Sequence, residues 1–404
     1  MSLLFRHAVI AQGGHWISAI RRSAIAVLVM AASLTPGKPT RGSVNDFIAY
    51  WTAAYEVIGG HNPYAAGPVL ALERQLGFAQ PKPLIMRNPP WAVPVIVLFG
   101  LLPFGVAQEL WLVGNLIAVL IAMRWLWGVY QTRGESRWTP WLATAAFLPV
   151  AVASAIGQMS PLVLLGIAGF LHFEKKQNLG RAGGFLYLVA LKPHLVFLLW
   201  IGLLFWSIRK SKGRTLAAFG VVTLLASLIS IALDHAIFAQ YLGLLTNGGV
   251  LGELSPTIGG VLRLWLPQYH WVQALPAVLA LLWFLFRWRR ARDGWQWREE
   301  MPILLMASLL TTSYGWFFDQ IVLLPCVFQA AEWLTTSRRS NAIGLAILYV
   351  GMNAIVLVLI LEHRTTFWYV WTVPAWCGLY GLCRVLGRTG STTTASTAVA
   401  TLVD

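Results

Sequence analysis

An all-α, polytopic membrane protein is the fold class that this sequence predicts, on three observations. Hydrophobic residues make up 57% of the 404 and charged residues only 11%, whereas soluble domains carry about 25% charged residues. Mean hydropathy is +0.66. The apolar residues also gather into runs near the length of ~20 residues that a spanning helix needs. These are 16–34, 89–102, 105–128, 138–156, 159–173, 182–206, 215–233, 271–287, 301–313, 316–335, 341–361 and 366–386. Together they predict about 10–13 membrane helices in a single polytopic domain over residues 1–389.

Arg21 and Arg22 stand near the start of the run 16–34. They snorkel to the cytoplasmic face and mark an uncleaved signal anchor. Ala31-Ala32-Ser33 is small enough for signal cleavage, but the motif that follows depends on being tethered at the membrane. Residues 35–88 then form the first external loop. Within it Phe47, Ile48, Trp51, Ala54, Tyr55 and Ile58 share a helical stripe, and Gly59-Gly60 stops the helix. The expected element is a short amphipathic helix lying along the membrane surface.

The pairs 89–102/105–128 and 301–313/316–335 contain short, proline-bearing runs and read as two crossings or as one broken crossing each. If every run spans, Lys175, Lys176 and Arg181 fall on the outer side, against the rule that basic loops stay inside. Residues 234–270 form a second external loop, with Ser255-Pro256-Thr257 and Gly259-Gly260. The stretch 390–404 is rich in Ser, Thr and Ala without periodicity and reads as a disordered tail.

The net charge of +15 does not point to nucleic acid, because the basic residues cluster between apolar runs. The clusters at Arg209, Lys210, Lys212 and Arg214, at Arg287, Arg289, Arg290 and Arg292, and at Arg338 and Arg339 read as cytoplasmic anchors touching anionic lipid. The 21 tryptophans fit interfacial belts. Cys326, Cys377 and Cys383 lie in apolar runs and match neither a metal motif nor a disulfide framework. There is no Gly-rich phosphate loop and no nucleophile elbow.

Asp46 is the residue that carries most chemistry. In Asn45-Asp46-Phe47-Ile48-Ala49-Tyr50-Trp51 an isolated carboxylate stands at a bilayer edge among aromatics. One reading is a helix N-cap. The other is a general base for glycosyl transfer, which must be ionised and within about 3 Å of an acceptor hydroxyl. The two are compatible, since a positive helix terminus favours the ionised acid.

A leaving lipid phosphate needs cations where its charge develops. Lys192, in Ala190-Leu191-Lys192-Pro193-His194, interrupts an apolar run and is a functional candidate by default, with a snorkelling lysine as the plain alternative. His194 and Arg87 are further cations, Arg87 reading equally as an interfacial anchor. Gly157-Gln158-Met159-Ser160 is either a simple turn or a source of an amide for sugar hydroxyls. Tyr314-Gly315-Trp316-Phe317-Phe318-Asp319-Gln320 adds a second acid, Asp319, for the sugar or for pairing with a lysine or arginine of another helix. Glu56 reads as solvated.

In order, these blocks resemble glycosyltransferase family 87, membrane enzymes similar to polyprenol-phosphate-mannose-dependent α-1,2-mannosyltransferases of the GT-C superfamily. Asp46-Phe47, Tyr50-Trp51, Ala53-Ala54, Gly60 and Asn62-Pro63-Tyr64 match the family's first block. Asn88-Pro89-Pro90-Trp91 with Pro103, then Gly157-Gln158, Leu191-Lys192-Pro193 and Tyr314-Gly315-Trp316 match the later ones, so the blocks span residues 46–320.

The resemblance implies a GT-C fold, Asp46 as catalytic base in the first external loop, and an inverting displacement. It implies a polyprenyl-phosphate-sugar donor and a membrane or cell-envelope glycolipid or glycan acceptor. The hexose is mannose by resemblance, while the residues themselves leave the sugar open. Lys192, Arg87 and His194 are expected at the donor phosphate. Tyr50, Trp51, His61, Asn62, Tyr64, Asn88, Gln158, Tyr314 and Asp319 are expected at the sugar and acceptor. No cofactor is expected, and the spacing allows but does not demand a divalent ion at Asp46 or Asp319. The expected location is the inner (plasma) membrane, multi-pass, with the site on the non-cytoplasmic side.

The main alternative is a transporter or flippase of lipid-linked sugars. It is disfavoured because no internal repeat is visible and the key acid lies in a loop. A non-catalytic scaffold is a third reading, and would tolerate Asp46→Asn.

Overall fold

The computed structural model describes residues 46–131, 139–246 and 254–400. The signal-anchor run 16–34, the first loop before Asp46 and residues 247–253 of the second loop lie outside the described residues. Among the described residues all regular structure is helical.

Proline and glycine decide where each apolar run becomes a helix. The first loop yields α1 (Phe47–Ile58) and α2 (Ala66–Gln75). The run 89–102 is not one helix but three short turns, Pro90–Ala92, Val93–Ile96 and Val97–Leu101. Pro89, Pro90 and Pro94 remove backbone donors there, and Pro103 ends the run. The chain then forms α3 (Phe104–Tyr130), α4 (Thr139–Ala145), α5 (Leu148–Ala155), α6 (Ser160–Lys175), α7 (Leu179–Val189), α8 (Phe197–Arg209) and α9 (Gly213–Leu233). The second loop carries α10 (Ile237–Thr246) and α11 (Ile258–Trp265). Next come α12 (Leu275–Ala291), α13 (Trp297–Thr311), α14 (Leu324–Thr336), α15 (Arg339–Leu361) and α16 (Thr372–Ala400).

Five of the described segments are individually long and apolar enough to cross a membrane: Phe104–Tyr130, Gly213–Leu233, His270–Gly294, Phe317–Thr335 and Arg339–Leu361. Other apolar runs are covered by interrupted helices, such as α4 with α5, or α7 with α8 across the break at Pro193.

The loops sort into two ends. At one, Lys175 Nζ donates to the Gly128 carbonyl at 2.8 Å and Lys212 Nζ to Gln177 Oε1 at 3.4 Å. Arg209 pairs with Asp293 at 2.7 Å, and Arg298 pairs with Glu332. Lys175, Lys176 and Arg181 therefore join the other basic clusters. At the opposite end Asp46, the Gly157 turn, the Lys192 break and residues 312–319 converge.

The loop with Lys175 falls at the same end as the other basic clusters because 89–102 stays at the Asp46 end. Asn88 and Trp91, at its start, donate to the Leu191 and Ala190 carbonyls at 2.8 and 2.9 Å. At its finish, the Leu102 carbonyl accepts from Trp51 of α1 at 3.0 Å. Gly100 lets this segment lie on α1, because a Cβ there would stand 2.8 Å from backbone atoms of Ala54 and Tyr55.

Two local readings change. The α1 helix forms where its stripe predicts but is embedded, with only Tyr55 and Ile58 of its residues exposed. Glu56, read as solvated, is buried and lies 3.3 Å from His61 Nδ1. The second concerns the tail. The α16 helix runs past Gly390, where the sequence predicts disorder, and 391–400 holds three alanines and no proline to stop it. Cys326 and Cys383 are buried, Cys377 is half-buried, and all three are free thiols.

Candidate active site

Three interruptions in the helices build the site. The first is the turn between α5 and α6. Gly157 takes φ +76°, a left-handed conformation that glycine adopts without strain. Trp111 Nε1 donates to the Gly157 carbonyl at 2.8 Å and Asn115 Nδ2 to the Gln158 carbonyl at 2.9 Å. The Asp46 amide donates to the Ile156 carbonyl at 2.9 Å. Trp111 and Asn115 stand two and three turns into α3, so the turn is recessed by roughly 10–16 Å from the start of that helix.

The second interruption is Lys192, at φ −136° and ψ +68°. A residue before proline is driven out of the helical region, which frees the Lys192 side chain from the helix ladder. The third is the irregular stretch after α13. Trp316 is extended there, and its amide donates to Asp319 Oδ2 at 3.1 Å.

One polar network joins the three. The Asp46 carboxylate accepts from Gln158 Nε2. Gln158 Oε1 accepts from Tyr50 Oη at 3.1 Å and from Lys192 Nζ at 2.6 Å. Lys192 Nζ also donates to Ser160 Oγ at 2.9 Å and to Asp319 Oδ1 at 2.7 Å. Ser160 Oγ donates to the same Asp319 oxygen at 2.7 Å. Donors and acceptors alternate along the chain, which fixes the Gln158 amide in one orientation.

Asp46 does not act as a helix cap. It keeps helical angles of φ −66° and ψ −17°, and its side chain makes no capping bond to α1. Desolvation pushes its carboxyl up from 3.8 to about 6, against the opposing pull of the Gln158 donor and the Lys192 charge.

This network closes the inner end of a cavity of about 790 Å³. Arg87, Asn88, His194 and Tyr314 also line it, and Met86, Phe197, Tyr241, Leu245 and Ala277 add apolar surface. Arg87 lies over the Tyr314 ring at 5.9 Å, and His194 meets that ring edge-on at 5.7 Å.

Of the residues expected from the sequence, Asp46, Tyr50, Arg87, Asn88, Gln158, Lys192, His194, Tyr314 and Asp319 line this cavity. Trp51, His61, Asn62 and Tyr64 do not. Trp51 follows Tyr50 by about 100° around the helix, and its indole meets Leu102 and Phe104 instead. His61 pairs with Glu56. Asn62 Oδ1 accepts from the Tyr64 amide at 2.9 Å, shaping a turn. Tyr64 packs on Tyr241 at 5.6 Å, behind the cavity wall.

Asp319 reaches the site with both oxygens already engaged, so it ties the wall rather than offering a free acceptor. Ser160, Trp111 and Asn115 were not singled out from the sequence. A lone Asn within the apolar run 105–128 was the available signal, since a polar group there needs a partner. Among the described residues no group of three or more His, Cys, Asp or Glu converges as a metal site.

A helical membrane bundle with a recessed carboxylate, cations on the cavity wall and an apolar flank has the form of a ligand-binding site within a membrane protein. Residues 87–313 match the family model for glycosyltransferase family 87. That is more than half of the chain, and the chain belongs to this family of glycosyltransferases. The matched region takes in Gln158, Lys192 and His194, while Asp46 precedes it and Asp319 follows it. No curated protein matches the chain.

Proposed function

We propose that the protein is an inverting hexosyltransferase that moves mannose from a polyprenyl-phosphate donor to a glycolipid or glycan acceptor of the cell envelope. The observation that carries this reading is the cavity itself. A carboxylate stands at its inner end, Arg87 and His194 line its wall, and one side is apolar. A charged headgroup and an isoprenoid chain need those two surfaces together.

The reaction is one displacement. The acceptor hydroxyl gives its proton to Asp46 as its oxygen attacks the anomeric carbon from the face opposite the phosphate. The bond between that carbon and the phosphate oxygen breaks, and the electron pair leaves on the lipid phosphate. Arg87 offsets the charge that develops there and the His194 imidazole can donate a hydrogen bond to it, while the three Lys192 donors stay with Gln158, Ser160 and Asp319. Tyr50, Gln158 and Tyr314 meet the sugars with hydroxyl, amide and ring face.

The basic clusters at the opposite end support a location in the inner (plasma) membrane with the site facing away from the cytoplasm.

The test is transfer by purified protein in nanodiscs supplied with labelled polyprenyl-phosphate mannose and a membrane glycolipid extract. The expected result is a labelled acceptor of inverted anomeric configuration together with free polyprenyl phosphate. Transfer from another polyprenyl-phosphate hexose only would replace mannose. Transfer from a sugar nucleotide only would overturn the lipid-donor reading.

A further inference from the structure

We propose that Asp319 is a positioning residue: it holds the Lys192 ammonium against the Gln158 amide oxygen, and through that amide aims the Asp46 carboxylate into the cavity. The inference rests on the reading of Asp46 as the base.

An amide has two similar ends, and only its partners decide which faces the carboxylate. With Gln158 Oε1 held by Lys192 at 2.6 Å and by Tyr50 at 3.1 Å, the amide nitrogen is left facing Asp46. The reversed amide would set N–H groups against the ammonium and an oxygen against the carboxylate, two repulsive contacts. Lys192 keeps its place because its three donors are taken by Gln158, Ser160 and Asp319. Asp319 is itself anchored, since its second oxygen accepts from the Trp316 amide and the side chain is 2% exposed. Every link from the α13–α14 connection to the base is therefore a direct hydrogen bond.

The same links couple charge. The groups gathered around Asp46 are Tyr50 from its own helix, Gln158 and Ser160 from the α5–α6 turn, Lys192 and His194 from the break before α8, Tyr314 and Asp319 from the stretch after α13, and Arg87 from the segment before Asn88. Lys192 favours the ionised base, and Asp319 opposes it. Removing either one alone tips that balance, in opposite directions.

The experiment is an infrared pH titration of the full chain in nanodiscs, with the Asp46→Asn form of each background subtracted to isolate the Asp46 carboxyl band. Asp319→Asn is expected to lower the titration midpoint and Lys192→Met to raise it, each by about one pH unit. The paired variant Lys192→Met with Asp319→Asn is expected to titrate between them. It should lose at least about tenfold in kcat for transfer from polyprenyl-phosphate mannose, at an unchanged donor KM, because the amide is no longer held.

Midpoints unmoved in both single variants, or a paired variant with full kcat, would overturn the proposal. If the single variants do not fold, the kcat and KM of the paired variant decide alone. An Asp46→Asn protein that transfers like wild type would sink the base reading instead and leave the titration result intact.

Discussion

Lys192 Nζ lies 2.7 Å from Asp319 Oδ1 across 127 residues of sequence, and neither side chain is more than one-tenth exposed. The pair ties the break before α8 to the break after α13, the two places where proline or an irregular turn frees a side chain to enter the cavity. Lys192→Met or Asp319→Asn alone leaves a buried charge without its partner, at a cost of about 3–5 kcal/mol. Replacing both at once should cost much less. Thermal unfolding of the three variants in detergent checks this, and equal losses in all three would contradict it.

The raised carboxyl of Asp46 sets a pH profile. A base must be ionised, so activity is lost as pH falls through the value of about 6 that desolvation gives Asp46. The expected kcat/KM rises with pH up to about 6 and then levels. An acid limb near the ordinary value of 3.8 would show that Asp46 is solvated or is not the base.

Gly157 should not tolerate a side chain. Its φ of +76° costs an L-residue about 1–2 kcal/mol, and Gln158 is the next residue. Gly157→Ala is expected to lower both the unfolding temperature and kcat. A variant with a wild-type melting curve would contradict the strain.

Arg87 is expected to act through the donor. A charge-assisted contact to phosphate contributes about 1.5–3 kcal/mol, so Arg87→Ala should raise the donor KM roughly tenfold to a hundredfold. Acceptor kinetics should change little. An unchanged donor KM would remove Arg87 from the phosphate site.

Glu73 of α2 links stability to pH. Both its oxygens accept from the Leu84 amide at 3.1 Å, holding α2 to the segment that walls the cavity. Burial pushes this carboxyl up from 4.5 to about 7. A folded-state value above the unfolded one means that the native state binds the proton more tightly. The contribution is then full below about 4.5 and is lost as pH rises through about 7. Glu73→Gln should flatten the fall in melting temperature between about pH 5 and pH 8. A variant that keeps the wild-type slope would contradict this.

The helical membrane fold was legible because apolar runs and basic clusters are local properties of the chain. The side of Lys175 was not, since it turns on whether 89–102 crosses, and that depends on Gly100 fitting against α1. At the site, Asp46, Gln158 and Lys192 stood out as polar residues in apolar surroundings. Their connection through Ser160 and Asp319 did not, because it joins positions up to 159 residues apart. Trp51 and Tyr64 were read with Tyr50 because they are near it in sequence, but a helix turns neighbours to different faces and the chain bends after Gly60.

The most direct measurement is sugar transfer from polyprenyl-phosphate mannose by Asp46→Asn beside wild type, with melting curves to show that both are folded. The account expects wild-type transfer and a folded variant slower by at least about a hundredfold. Equal transfer by the two proteins would contradict it and leave Asp46 a structural residue.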